Sequence, residues 1–168
     1  MATQNSDLVA NFEASPRVAN DPQELHGVKR VALGNVAVAA DGTETGDIIM
    51  LAPIPSNAVI TSIKLASDDL DSGSPAALAW NLGLYTTAGV VKDADAYASA
   101  ITLGQSATAY TEYRFEAANI NETAQKVYAD ATDTSDPGTF YYLALTISTA
   151  AATGAAGDLA FQVEYVVN

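Results

Sequence analysis

The sequence predicts an all-β protein: an antiparallel β-sandwich or jelly roll with one or two short helices and an extended N-terminal arm. The first observation behind this is a series of short segments rich in β-formers, separated by Gly- and Pro-containing turns. The second is size, because 168 residues with 49% apolar content suffice for one domain with a real core. The third is that alanine supplies much of the apolar content. Sparse large side chains favour the thin core between two sheets.

The chain divides into two parts by composition. Residues 1–27 are polar and irregular, and Pro16 and Pro22 each disfavour helix at the residue before them. From residue 28 onward the β-rich pattern begins. We therefore expect an extended arm over 1–27 and a jelly-roll-like sandwich domain over 28–168.

Four segments in the first half of this domain have strand character. The segments are 31–38, 48–51, 59–65 and 78–85. The first is rich in valine, the second is followed by Pro53, and the third alternates apolar and polar residues. Between the last two lies a loop with three aspartates, which we expect to be solvated.

The second half mixes predicted helices and strands. Alanine-rich residues 93–103, with an aspartate able to cap them, predict a short helix, and residues 121–128 predict a second one. A strand is predicted over 110–115. The two clearest strands are 140–148 and 159–167, joined by a loop of small residues.

Charge is distributed unevenly between the first 30 residues, which comprise the arm and the start of the sandwich domain, and the rest of the chain. The chain has 20 acidic and 7 basic residues, a net charge of −13. Residues 1–30 hold four acids and three bases, while the remaining 138 hold sixteen acids and four bases, a net of −12. This field disfavours direct nucleic-acid binding. A near-neutral arm on an acidic body suggests that the arm makes the contacts, although the acidity could simply serve solubility.

The sequence offers little catalytic chemistry. There is no cysteine, and the one histidine, His26, lies in the arm. Nucleophilic catalysis needs a base near neutral pKa beside the nucleophile, so we expect no enzyme, and no cofactor. No secretory signal is recognisable, and no apolar stretch approaches the roughly 20 residues of a membrane-spanning helix. We therefore expect synthesis in a cytoplasm and no membrane partner.

Two weaker alternatives concern acids and aromatics. Paired carboxylates for a hydrolase could come from three acidic clusters: Asp68, Asp69 and Asp71; Asp93 and Asp95; or Asp130, Asp133 and Asp136. The 67–75 loop could also bind calcium, but the glycine at 73 comes one residue early for a calcium loop and no glutamate follows at its twelfth position. Turns and caps explain such aspartates equally well. The aromatic rings Tyr141, Tyr142, Phe161 and Tyr165 could stack on sugars, with packing in the core or sheet as the alternative.

Several segments carry a resemblance to a known group of proteins. They are Ile54-Pro55-Ser56-Asn57-Ala58 with the following Ile60-Thr61-Ser62-Ile63, then Gly83-Leu84-Tyr85, Asp93 to Ala100, the ending Glu164-Tyr165-Val166-Val167, and Arg17-Val18 in the arm. Together they resemble the small head-associated structural proteins of tailed bacteriophages. The resemblance implies a virion protein, made in the host bacterial cytoplasm, that decorates or cements the capsid from its outer surface.

This resemblance gives the arm a partner, the lattice of the major capsid protein. The residues expected to contact it combine apolar anchors with basic or polar groups: Phe12, Arg17, Val18, Leu25, His26, Lys29 and Arg30. Because decoration sites often lie on symmetry axes, the resemblance also implies a homo-oligomer, a trimer or a dimer. The alternative is a carbohydrate- or receptor-binding sandwich module of a virion.

Overall fold

The computed structural model describes residues 11, 14–16, 18–19, 27–114 and 124–167. These contain eight strands: β1 (Lys29–Val38), β2 (Ile48–Pro55), β3 (Val59–Ser67), β4 (Ala79–Thr86), β5 (Val91–Ile101), β6 (Thr108–Glu112), β7 (Phe140–Thr149) and β8 (Gly157–Val166). One helical turn, α1 (Val127–Asp130), precedes β7.

The strands form two four-stranded antiparallel sheets. One sheet has the order β1-β8-β3-β6 and the other the order β2-β7-β4-β5. Strand 1 therefore pairs with 8, 2 with 7, 3 with 6 and 4 with 5, which is the pattern of one long hairpin rolled up on itself. This is a jelly roll, and it confirms the predicted all-β sandwich.

The core lies between the inner faces of the two sheets, and strand alternation determines its composition. On β7 the inward residues are Tyr141, Leu143, Leu145 and Ile147, all buried. Trp80 of β4 is fully buried and donates its indole N–H to the carbonyl of Leu103 at 2.8 Å. This bond satisfies the polar group of a side chain that otherwise contributes only apolar area.

The predicted helix over 93–103 is wrong, because the segment lies in strand β5. Alanine has the highest intrinsic preference for helix, but intrinsic preferences are small, and pairing with β4 overrides this one. The ladder between β4 and β5 shifts register at three places. At one of them the β5 backbone crosses Gly83, where a Cβ atom would lie 2.1 Å from the carbonyl oxygen of Asp93. The absence of a side chain at this position admits the bulge.

Three other boundaries differ from expectation. The second predicted helix is reduced to α1; residues 124–126 are not helical, and 121–123 lie outside the described residues. Strand β6 ends at Glu112 rather than 115. Strand β2 continues through Pro53 to Pro55, since it is an edge strand, where a proline removes no ladder hydrogen bond.

Ser67 gives a first stability prediction. It lies opposite Leu159 at the end of β3, and in the described part of the chain its buried hydroxyl has no hydrogen-bond partner. Because burial of an unpaired hydroxyl is costly, Ser67→Ala should raise the free energy of unfolding by about 1 kcal/mol in urea denaturation. Ser62→Ala is the matched control: its hydroxyl donates to Glu112, so its loss should destabilise by about 1 kcal/mol. A destabilised Ser67→Ala protein would contradict the prediction.

Candidate docking surface

Three of the seven predicted contact residues lie in the described part of the chain. Val18 is 51% exposed, and its backbone N–H donates to the carbonyl of Asn11 at 3.2 Å. Lys29 and Arg30 are the exposed first residues of β1. The other four predicted contacts, Phe12, Arg17, Leu25 and His26, lie outside the described residues.

Lys29 already has a partner within the chain. Its ammonium lies 2.5 Å from the carboxylate of Glu164 on β8, which also accepts a hydrogen bond from the Gln162 amide at 3.0 Å. The hydrogen bond from Lys29 is the main cause that lowers the pKa of Glu164 below its ordinary value. The pair is exposed on the lysine side, so it can exchange with an external acid at little free-energy cost.

The outer face of β1 carries an apolar surface whose residues are not among the seven predicted contact residues. Val31 is 52% and Leu33 68% exposed, whereas Val36 and Val38 face the sandwich interior. Gly34 lacks a side chain and so makes room for the ring of Phe161, and this contact determines which face of β1 is inward. The glycine within this valine-rich strand is the sequence feature that could have indicated the outward apolar surface. We call the outward residues Lys29, Val31, Leu33, Asn35 and Ala37 the β1 strip.

A groove adjoins the end of this strip. It encloses about 370 Å³ between the last residues of β1 and the start of β2, and its lining combines apolar side chains with the acids Asp41 and Asp47. On the far side of the groove, Ile48 and Met50 of β2 are 43% and 37% exposed. The edge of the sandwich formed by β1 and β2 thus presents both apolar and acidic groups.

The prediction that the acidic loop over 67–75 is solvated is wrong for its central residue, Asp71, which is buried. The contacts of Asp71 also do not favour a bound cation. Asp71 is buried, and its carboxylate accepts five backbone N–H groups, those of Gly73, Ala77, Leu78, Ala152 and Thr153, at 2.6–3.0 Å. These bonds use the oxygen lone pairs that a cation would need. Among the described residues, no group of three or more His, Cys, Asp or Glu side chains is placed to hold a metal ion.

The aspartates near residue 133 are also bound within the fold. Asp133 accepts hydrogen bonds from the ammonium of Lys92, at 2.6 Å, and from the hydroxyl of Tyr141. The hydrogen bond from Lys92 is the first cause of its lowered pKa. Asp130 accepts the hydroxyl of the fully buried Tyr97 at 2.8 Å. Asp133 and Asp130 therefore each make their own structural hydrogen bonds within the fold.

The four aromatic rings considered for sugar binding do not form one platform. Tyr141 and Phe161 are buried in the core, while Tyr142 is on the opposite face of β7. Tyr165 packs against the core from β8. The packing alternative is therefore the observed one.

The comparisons with known proteins identify the fold class. No protein-family model and no curated protein sequence matches the chain. A chain in the structure of the cyanophage Pam1 capsid asymmetric unit has the same fold, with a TM-score of 0.62 and 24% identity over 100% of both chains. A chain in the capsid of Ralstonia phage GP4 gives a TM-score of 0.63 and 22% identity over 84% of this chain and 86% of that one.

These matches confirm the resemblance at the level of the fold. The jelly roll described here is shared, over its full length in one case, with chains that belong to phage capsid structures. In the described residues, no helix combines the length and apolar character needed to cross a membrane.

Proposed function

We propose that this chain is a virion structural protein that decorates and stabilises a phage capsid by binding the lattice of its major capsid protein. The observation that carries the proposal is the match, over 100% of both chains, to a component of a capsid asymmetric unit. In this proposal the chain is no enzyme, works as a homo-oligomer, a dimer or a trimer, and lies on the capsid outer surface after synthesis in the bacterial cytoplasm.

The charge distribution supports a division of roles. The arm and the start of β1 carry Arg17, Lys29 and Arg30, whereas the other 138 residues have a net charge of −12. The basic groups can pair with acids of the capsid while the acidic body faces solvent. Weak contacts of this kind, repeated over a lattice by an oligomer, give avidity without one strong site.

The test is cosedimentation of the purified full chain with capsids assembled from the major capsid protein of the same virus. We expect the full chain to sediment with capsids and to saturate at a fixed ratio to capsid subunits. A variant lacking residues 1–27 should lose at least about tenfold in affinity, as expected when several anchoring contacts are removed. Val90→Ser, at an exposed position of the β4–β5 turn, is the control and should bind as the wild type does.

One result would contradict capsid decoration itself, and a second would contradict the role of the arm. One is no cosedimentation of the full chain together with its absence from purified virions. The other is unchanged binding of the truncated chain, which would remove the arm from the mechanism and leave the sandwich as the docking element.

A further inference from the structure

We propose that the outer edge of β1, the terminal strand of its sheet, pairs antiparallel with β1 of a second copy of this chain. Two β1-β8-β3-β6 sheets would then become one continuous eight-stranded sheet across a two-fold axis. The inference assigns a surface to the homo-oligomer of the proposed function. It depends only on residues of the sandwich, and it holds whether or not the chain binds capsids.

The four edge strands of the fold differ in how they are protected. Strand β2 contains two prolines and a register shift, β5 shifts register three times, and β6 is only five residues long. Prolines, bulges and short length are the features by which natural sheets prevent pairing at an edge.

Strand β1 has none of these features. It is ten residues long, contains no proline, and runs in unbroken register with β8 from Lys29 to Val38. After Arg30 it carries no charged side chain. Within the described residues, β8 is its sole strand partner. β1 is thus the edge on which another strand can pair over its full length.

The charges along β1 are self-complementary under a two-fold axis. The strand starts with Lys29 and Arg30 and is followed by Asp41, with Glu44 and Asp47 further along the same loop. Antiparallel pairing of two copies places the basic start of each strand beside the acidic end of the other. The groove of about 370 Å³ at that end is lined by Asp41 and Asp47, so the partner's basic groups would meet two carboxylates.

The side chains of the β1 strip fit the same arrangement. A register centred on Asn35 places Leu33 opposite the partner's Ala37, a large residue against a small one, and Lys29 opposite the partner's Asp41. Leu33 is 68% exposed in the single chain, and a directly opposed neighbour would cover part of it. Because an isologous contact uses one patch twice, a single strand supplies both halves.

The first experiment uses the absence of cysteine from the chain. Asn35→Cys places a single thiol on the proposed two-fold axis, where opposed Cβ atoms lie about 4.5–5.5 Å apart, close to the separation that a disulfide needs. Mild copper–phenanthroline oxidation of the full-length variant should give a disulfide-linked species of twice the 17.3 kDa chain mass. The control, Tyr110→Cys, carries an exposed thiol on β6 at the opposite edge of the same sheet and should stay largely monomeric under denaturing conditions.

The second experiment measures mass in solution by sedimentation equilibrium. The wild-type chain should be a dimer, and Leu33→Lys should raise its dissociation constant at least about tenfold, since lysine on an edge strand opposes pairing. Val91→Lys, a similar change at an exposed position of β5, should remain dimeric. Equal melting temperatures for the two variants would show that both fold.

A monomeric or trimeric wild-type chain would overturn the proposal, as would equal cross-linking of the two cysteine variants. A monomer would instead favour a strand of another protein as the occupant of the edge. These measurements contain no capsid, so their failure is separable from failure of the proposed function.

Discussion

Replacing Asp71 by alanine is expected to lower the free energy of unfolding by about 4 kcal/mol, the largest loss we predict for a side chain away from the apolar core. The carboxylate accepts five backbone N–H groups from two separate segments, residues 73–78 and residues 152–153. Without it, these five donors, of which the N–H of Leu78 is fully buried, lose their acceptor together. The loop after β3 and the loop before β8 would lose the group that joins them.

The measurement is urea denaturation followed by the fluorescence of Trp80, the single tryptophan of the chain. Asp69→Ala is the matched control, because Asp69 is exposed and, among the residues that the structure describes, accepts only the N–H of Asp71, at 3.2 Å. Its replacement should cost less than about 1 kcal/mol. Similar losses for both variants would show that Asp71 does not organise the two loops.

The same carboxylate predicts a pH dependence. Burial by itself raises the pKa of Asp71, but the N–H groups of Thr153, Ala77, Ala152 and Leu78 outweigh burial and hold the pKa well below its ordinary value. The stabilisation is therefore present above the pKa of the unfolded chain, about 3.9, and is lost as the pH falls from there towards the folded pKa. The stability difference between wild type and Asp71→Asn should be constant from pH 7 to 5 and shrink below about pH 4.

Gly83→Ala is expected to lower the free energy of unfolding by about 3 kcal/mol, although it adds only one methyl group. The new Cβ atom would lie 2.1 Å from the carbonyl oxygen of Asp93 and 2.3 Å from the carbonyl carbon of Ala94. Both are backbone atoms of β5, so no side chain can rotate away. The β5 bulge must therefore move off β4, which breaks part of the ladder between them.

Gly42→Ala is the control for this prediction. Its added Cβ would lie no closer than 3.3 Å to any atom, and the backbone there does not require a left-handed conformation. The change in stability should stay within about 1 kcal/mol, measured again through Trp80. A Gly83→Ala protein as stable as Gly42→Ala would mean that β5 lies farther from β4 than the structure shows.

The strands with clear alternation were predictable, and the alanine-rich segment was not. In β4 and β7, large apolar residues recur at every second position, so period and side-chain size both indicate a strand with one buried face. In 93–103 the apolar residues are mostly alanines, which favour helix intrinsically, and this local preference is easily overridden by tertiary contacts. What decides that segment is the neighbouring strand β4 and the space above Gly83, and neither is local in sequence.

The candidate docking surface was predictable only in part. The uneven charge and the basic start of β1 are evident from residue types, and they indicate where contacts with a partner are expected. Which valines face outward depends on the phase of β1, set by the contact of Gly34 with Phe161, 127 residues away in the chain. The difference between β1 and the other three edges depends on strand order.

By itself, the sequence determined the fold class, the acidic body and the lack of catalytic histidine or cysteine chemistry in the sandwich, because composition and alternation are local properties. Only the tertiary structure decided the roles of single residues. It turned Asp71 from a loop acid into a buried acceptor, gave Lys29 a partner in Glu164, and left Val31 and Leu33 exposed on an edge strand. The reason is physical: a charge or an apolar side chain acquires its role from the donors, acceptors and surfaces around it, and those come from distant parts of the chain.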